Sequence, residues 1–320
     1  MATAFKPLMP LDEAWTVLCA AVEQHVASSH GTRQTESISS FEALGRVLAE
    51  AVISPVDVPP LDNSAMDGYA VRAADLAQAG LANVAPESVT LPQAQRIAAG
   101  QVGAELLAGQ CARIFTGAPV PQGADAVVMQ EHTTADPATG TVRFNEPVKT
   151  GQNIRLRGED IAQGQTVLQA GLRLTAAGLG VAASVGAAEL TVFKQARVGI
   201  LTTGNELVMP GQPLPPGAIY NSNRHTLRGL VQGAGALAQD LGIVPDKLDA
   251  TREALRAAAA HCDLVISSGG VSVGEEDHLR NAVLAEGGLD FWALAIKPGK
   301  PFVFGWLKRA DGSRALYMGL

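Results

Sequence analysis

The sequence is poor in cysteine and in aromatic residues, and it has no long apolar run. Its three cysteines, Cys19, Cys111 and Cys262, are far apart and lack Cys-x-x-Cys spacing, which favours a reducing cytoplasm over a disulfide framework or a zinc site. Aromatic residues make up 4% of the chain and are scattered, so no base-stacking platform is expected. No apolar run reaches the roughly 18 residues of a membrane span, and the first ten residues lack a signal-peptide pattern. These absences predict a soluble cytoplasmic protein without a membrane partner.

Neither charge nor histidine is concentrated in any segment. Lys and Arg number 24 against 31 Asp and Glu, and this net charge of −7 without a block of like charges makes nucleic acid an unexpected partner. The six histidines form no His-x-His or His-Glu-x-x-His pattern, so zinc and nucleophilic catalysis have no support. The 320 residues can bury a sizeable core and predict two or three domains.

The rhythm of apolar residues changes near residue 196. Before it, the patterns predict a helix over 11–27, a short helix capped by Ser40, a strand over 47–53, short β segments between 54 and 160, and a helix over 175–185. After it, strands (198–202, 237–244, 264–268, 291–296) alternate with helices (224–233, 252–260, 277–285) and lead to a hairpin of 302–306 with 316–318. The predicted fold class is α/β plus β. It comprises a three-layer α/β domain with a mostly parallel sheet (196–320), a helical linker domain (1–53 and 161–195) and a small inserted β domain (54–160).

A glycine-rich turn follows the predicted strand 264–268. Glycines there let backbone N–H groups approach a ligand, and the start of the next helix favours an anion. Two ammonium groups follow in the Lys-Pro-Gly-Lys-Pro segment, so the sequence predicts a phosphorylated small-molecule ligand bound by these residues: Ser268, Gly269, Gly270, Ser272, Gly274, Lys297 and Lys300. The alternative is an ordinary turn between strand and helix.

Carboxylates near the carboxyl ends of the predicted strands suggest a cation. Glu206, Asp246 and Asp277 supply hard oxygen ligands suited to magnesium. Alternatively, these residues have only structural roles: Glu206 is a capping residue, Asp246 belongs to a turn and Asp277 begins a helix. The Asp62 to Asp67 loop is equally open between turn chemistry and a site. In the segment 153–160, arginines beside acids favour ion pairs over an anion site.

Six motifs in order resemble the molybdopterin molybdenumtransferases, the MoeA family that includes the E domain of gephyrin. They are the segments 62–71 (DNSAMDGYAV), 113–121 (RIFTGAPVP), 157–160 (RGED), 203–207 (TGNEL), 268–277 and 297–301 (KPGKP). The resemblance covers essentially the whole chain. It implies an elongated homodimer that inserts molybdate into adenylylated molybdopterin and releases AMP with magnesium.

The same resemblance implies site residues and partners. The positions that match the family's functional ones are Asp62, Thr116, Asp160, Glu206, Asp246, Asp277 and Lys297. The implied partners are a second copy of the chain, molybdopterin-AMP, the molybdopterin adenylyltransferase and apo-molybdoenzymes. Family members continue with a C-terminal β domain after the equivalent of Gly319-Leu320, so a C-terminally truncated member is expected. Two alternatives are a molybdopterin adenylyltransferase and a non-catalytic dimeric scaffold.

Overall fold

The computed structural model describes residues 8–28, 34–77, 89–269, 278–292, 294–297 and 301–320. The chain divides into two compact units. One comprises residues 37–191, and the other combines 1–36 with 192–320. The finer division at residues 53/54, 160/161 and 195/196 stays a prediction. None of the described helices combines the length and apolarity that a membrane crossing requires.

In the first part of the chain, the described residues form three α-helices and twelve strands, most of them short. Their bounds are α1 Leu11–Ser28, β1 Thr35–Ser39, β2 Val52–Ile53, β3 Asn63–Ser64, β4 Gly68–Val71, α2 Ala73–Leu76, β5 Val89–Ile97, β6 Cys111–Ile114, β7 Ala126–Met129, β8 Thr133–Asp136, β9 Thr141–Phe144, β10 Ile154–Arg155, β11 Thr166–Leu168, α3 Ala176–Ser184 and β12 Glu189–Phe193.

The unit of residues 37–191 is built on a six-stranded sheet. Its strand order is β7-β4-β6-β5-β9-β8, antiparallel except for the parallel pair β5 and β6. Successive side chains of a strand point to opposite faces, so Tyr69 packs with Phe144 on one face while Ala70 packs with Ile114 on the other. The short strands β3 and β10 pair beside this sheet and bring two distant loops together.

The second part of the chain alternates strands and helices. Their bounds are β13 Arg197–Thr203, β14 Leu207–Val208, β15 Ile219–Tyr220, α4 Ser222–Gly233, β16 Leu237–Val244, α5 Leu248–His261, β17 Leu264–Ser268, α6 His278–Glu286, β18 Gly287–Trp292, β19 Val303–Lys308 and β20 Arg314–Gly319.

These strands form a three-layer α/β arrangement. The sheet order is β16-β13-β17-β20-β19-β18; the first four strands are parallel, and β19 runs antiparallel to both of its neighbours, β20 and β18. Helices α5 and α6 pack on one face through Leu255 and Val283. Helix α4 covers the other face through Leu227 and Val231, and α1 packs against Phe304. The predicted α/β domain plus β domain is therefore confirmed.

Three predicted elements were wrong in position. The strand expected over 291–296 is β18, Gly287–Trp292. Its pairing with β19 needs glycine, because a Cβ on Gly287 would lie 1.8 Å from the carbonyl oxygen of Trp306. The first short helical turn is capped by Ser39, whose Oγ accepts from the Phe41 N–H, and not by Ser40. The strand expected over 47–53 is reduced to Val52–Ile53 and one isolated bridge at Val47.

Candidate functional site

A cavity of about 300 Å³ opens at the carboxyl ends of β13 and β17. Ligands of parallel α/β sheets bind at this edge, beyond the ends of the strands. The lining comes from the loops after these two strands, the start of α4 and the last described residue: Thr203, Glu206, Leu207, Ile219, Tyr220, Asn221, Ser222, Asn223, Ser268, Gly269 and Leu320. Glu206, Ser268 and Gly269, all predicted from the sequence, therefore share one cavity.

Glu206 reaches the cavity because the backbone turns sharply after β13. Gly204 has φ of 143°, and a Cβ there would lie 2.5 Å from Glu206 Oε2. Only glycine therefore tolerates this approach of the carboxylate to the backbone. The Glu206 carbonyl accepts from the Ile219 N–H over 2.9 Å, which fixes the loop to β15. The described lining of the cavity consequently carries one carboxylate, on a loop whose backbone is held in place.

Ser268 and Gly269 form the opposite wall. Gly269 has φ of 92°, and a Cβ there would lie 2.8 Å from the Thr203 carbonyl oxygen, so the loops after β13 and β17 touch. The Ser268 hydroxyl oxygen accepts a hydrogen bond of 2.9 Å from Asn223 Nδ2 on α4. The Ser268 oxygen is the acceptor in this bond, so its O–H remains available to donate to an anion in the cavity.

The amino end of α4 faces the same cavity and is held by a buried network. Asn221 caps the helix, and its Oδ1 accepts from the Arg224 N–H over 3.3 Å. Its Nδ2 donates to Thr202 Oγ1 over 2.9 Å, and that hydroxyl donates to the Gly242 carbonyl over 3.0 Å. Since a helix amino end carries partial positive charge, the cavity joins a donor-rich wall to the Glu206 carboxylate.

The other predicted motifs cluster in the unit of residues 37–191. Ser64 exchanges backbone hydrogen bonds with Gly117 and Ala118, and it pairs with Ile154 across β3 and β10. Thr116 donates from both its N–H and its Oγ1 to Asp67 Oδ1, each over 2.8 Å. The bond from the Thr116 N–H makes the largest contribution to lowering the pKa of Asp67. The bond from the Thr116 hydroxyl and the charge of Arg113 lower it further. The loops that carry Asp62, Thr116 and Asp160 are thus joined in one exposed cluster.

The arginines of the segment 153–160 make ion pairs, as the sequence favoured. Arg155 Nη2 lies 2.6 Å from both carboxylate oxygens of Asp160, and this carboxylate raises the pKa of the guanidinium. Arg157 Nε pairs with Asp57 Oδ2 over 2.5 Å. The backbone N–H of Arg157 donates to Asp62 Oδ1 over 2.7 Å, so Asp62 holds this loop in place.

The remaining predicted site residues lie elsewhere. Asp246 follows β16, and Lys297 is exposed; neither lines the cavity. Gly270, Ser272, Gly274, Asp277 and Lys300 lie outside the described residues. Within the ranges that the structure describes, no three His, Cys, Asp or Glu side chains are grouped to hold a metal ion. The predicted triad of Glu206, Asp246 and Asp277 therefore stays a prediction.

Comparison with known proteins decides the family. A family model described as MoeA N-terminal region (domain I and II) matches residues 9–186, which is more than half of the chain. A second, described as a probable molybdopterin binding domain, matches residues 199–319. The chain belongs to the MoeA family. The segment that contains the cavity is therefore the part of a MoeA protein matched by the molybdopterin binding domain.

Individual MoeA proteins are similar to this chain over most of its length. A molybdopterin molybdenumtransferase of Haemophilus influenzae is 46% identical over 278 residues, covering 87% of this chain and 66% of its own length. The enzyme of the same name from Bacillus subtilis is 37% identical over 296 residues, with 91% and 66% covered. The crystal structure of the molybdopterin biosynthesis MoeA protein from Pyrococcus horikoshii aligns with a TM-score of 0.75 at 30% identity, covering 98% of this chain and 74% of its own. This chain thus spans just under two thirds of the two curated relatives.

Sequence reasoning missed three residues of the cavity and of the loop cluster around Thr116. Asp67 stood in a quoted motif but was not chosen, although it is the partner of Thr116. Asn221 and Asn223 were not chosen at all, and they fix the amino end of α4 and Ser268. The available signal was the Asn-Ser-Asn run before an amphipathic helix, since asparagine is a preferred cap.

Proposed function

We propose that this chain forms the cofactor-binding core of a cytoplasmic, homodimeric molybdopterin molybdenumtransferase. The reaction is the insertion of molybdate into adenylylated molybdopterin with release of AMP. The observation that carries the proposal is the cavity at the ends of β13 and β17, which combines a wall rich in hydrogen-bond donors with the Glu206 carboxylate inside the matched molybdopterin binding domain.

The chemistry of the cavity suits a phosphoanhydride. The Ser268 hydroxyl, oriented by Asn223, and the amino end of α4 supply donors for phosphate oxygens. These donors are fixed before the ligand arrives, which makes them effective against charge that develops on the departing AMP. We further propose Lys297, Lys300 and the glycines after Ser268 as residues that bind the phosphate groups of the substrate.

Magnesium is the cation we propose for this site. The described lining offers one carboxylate, Glu206, beside hydroxyl and amide oxygens. This donor set fits an ion that keeps several waters and binds mainly to substrate phosphates. Bound there, magnesium would neutralise charge on the phosphoanhydride, and we propose Asp246 and Asp277 as its further ligands. We also propose Asp62, Thr116 and Asp160 as catalytic residues of this reaction.

Turnover and binding test the proposal together. The protein is incubated with adenylylated molybdopterin, magnesium and molybdate, and AMP is measured with and without molybdate. We expect molybdate-dependent AMP release that falls about a hundredfold in Glu206→Gln. The matched control is Glu253→Gln, because Glu253 is exposed on α5 and does not line the cavity.

Three outcomes discriminate the alternatives. Pyrophosphate release from ATP and molybdopterin without molybdate would identify an adenylyltransferase instead. Dimerisation without binding of adenylylated molybdopterin would identify a scaffold. Equal activity of the Glu206 and Glu253 variants would remove the cavity from the mechanism.

A further inference from the structure

The hydrogen bond from Thr116 to Asp67 has a fixed direction. Asp67 Oδ1 accepts from the Thr116 N–H and from its Oγ1, each over 2.8 Å. These bonds hold the pKa of Asp67 below its ordinary value, so the carboxylate is ionised at neutral pH and can only accept. The single hydroxyl proton of Thr116 is therefore already used.

What remains for a ligand at this point is a pair of acceptors. Thr116 Oγ1 keeps a lone pair. No residue in the described ranges donates a hydrogen bond to Asp67 Oδ2. Both side chains are exposed, so a ligand can reach them. A phosphate or molybdate oxygen would meet two acceptors and a negative charge, and this pair consequently disfavours an oxyanion.

The neighbouring arginine is held by other groups. Arg113 donates from Nη1 to the Gly68 carbonyl over 3.0 Å and from Nη2 to Gln130 Oε1 over 2.6 Å. Its guanidinium also lies over the rings of Tyr69 and Phe115, at 5.1 and 4.6 Å from their centroids. These contacts hold Arg113 against the sheet, and its charge adds a smaller contribution to the lowered pKa of Asp67 than the hydrogen bonds from Thr116 do.

We propose that Asp67 and Thr116 recognise the pterin ring of the substrate through its adjacent amino and ring N–H groups. This inference rests on the proposed function and names the part of the substrate that the loop cluster takes. Two neighbouring donors match two neighbouring acceptors. Adenine fits worse, because its amino group lies beside ring nitrogens that accept. Thr116 is thus a specificity residue for the pterin, and Asp67 both binds and sets the direction of the Thr116 hydroxyl.

Binding titrations with three probes test the assignment: molybdopterin without the adenylyl group, AMP, and molybdate. We expect Thr116→Val to weaken molybdopterin binding about tenfold and Thr116→Ser to restore it, with the other two affinities unchanged. Asp67→Asn replaces one acceptor by a donor and should weaken molybdopterin binding about a hundredfold. The matched control is Thr139→Val, since Thr139 Oγ1 also donates to a carboxylate, Asp136 Oδ2, over 2.9 Å on an exposed hairpin.

Several results would overturn the inference. For the Thr116→Val variant, any one of three outcomes would do so: weaker binding of molybdate, weaker binding of AMP, or unchanged affinity for all three probes. The proposed function fails separately, if the wild-type chain releases no AMP and does not bind molybdopterin. In that case 6-hydroxymethylpterin serves as the probe. Binding that Thr116→Val weakens and Thr116→Ser restores then supports the pterin assignment alone, and any other result rejects it.

Discussion

Asn223 Nδ2 lies 2.9 Å from Ser268 Oγ and joins the first turn of α4 to the end of β17, although the two residues are 45 positions apart. The serine oxygen is the acceptor in this bond, so its O–H remains available to donate to a ligand in the cavity. It therefore links the packing of a helix on the sheet to the electrostatics of a candidate anion site.

The first prediction concerns this bond. Asn223→Ala should weaken binding of AMP, measured by calorimetry, about tenfold, because the Ser268 hydroxyl loses its fixed orientation. The free energy of unfolding should change little, since Asn223 is exposed. The control is Thr226→Ala on the same helix, because Thr226 is exposed and does not line the cavity. If both variants bind AMP equally well, the orientation of Ser268 is not important for the anion.

The second prediction concerns the helix cap beside it. Asn221→Ala should lower the free energy of unfolding by about 2 to 3 kcal/mol, since it removes a cap and leaves the Thr202 hydroxyl oxygen without its donor. Thr175→Ala is the control, because Thr175 caps α3 through one bond to the Gly178 N–H. It should cost about 1 kcal/mol. Urea unfolding measures both, and equal costs would contradict the network.

The alternation after residue 196 could be predicted because each element has a strong local pattern. The apolar runs of β16 and β17 gave strands with the same bounds as the structure, and the edge of a parallel sheet then predicted that Glu206 and Ser268 meet. Strand β18 was misplaced because Gly287 and Gly288 look like a turn. They are instead needed where Trp306 approaches.

The side-chain hydrogen bonds that position the candidate site residues depend on tertiary geometry. Thr116 and Asp67 are 49 positions apart, and their meeting follows from the register of β4 with β6. An Asx side chain in a turn is expected to bond its own backbone, so the local rule could not identify Thr116 as the partner of Asp67. Likewise, no periodicity in α4 specifies that Asn223 reaches Ser268.

The third prediction separates backbone strain from a steric clash. Gly204→Ala places a Cβ 2.5 Å from Glu206 Oε2 at φ of 143°, so the carboxylate must leave its position. Gly211→Ala meets open space at φ of 93° and adds strain alone. Both should destabilise the fold by roughly 1 to 2 kcal/mol. Only Gly204→Ala should also reduce AMP release about tenfold or more, and equal loss in the two variants would argue against a role of the Glu206 position.

The last prediction concerns pH. Glu286, which ends α6, accepts from Arg252 Nε over 2.8 Å and from Arg256 Nε and Nη2 over 3.0 and 2.9 Å, and so joins α6 to α5. The hydrogen bond from Arg256 lowers the pKa of Glu286 below its ordinary value of 4.5. The hydrogen bond from Arg252 and the charges of both arginines act in the same direction. A carboxylate whose pKa is lowered by folding stabilises the folded state at pH values above its pKa in the unfolded chain. This contribution is lost as the pH falls through the pKa of the folded state.

Glu286→Gln should therefore cost about 1 kcal/mol at pH 7, after allowance for solvent screening. The difference from wild type should begin to shrink as the pH falls toward 4.5, and it should disappear once the pH is below the lowered pKa of the folded state, where the wild-type carboxylate is protonated. Urea unfolding at a series of pH values measures it. Glu146→Gln is the control, because Glu146 pairs with His132 while 60% exposed and should contribute little. A Glu286 difference that persists unchanged at low pH would show that packing, and not charge, connects the two helices.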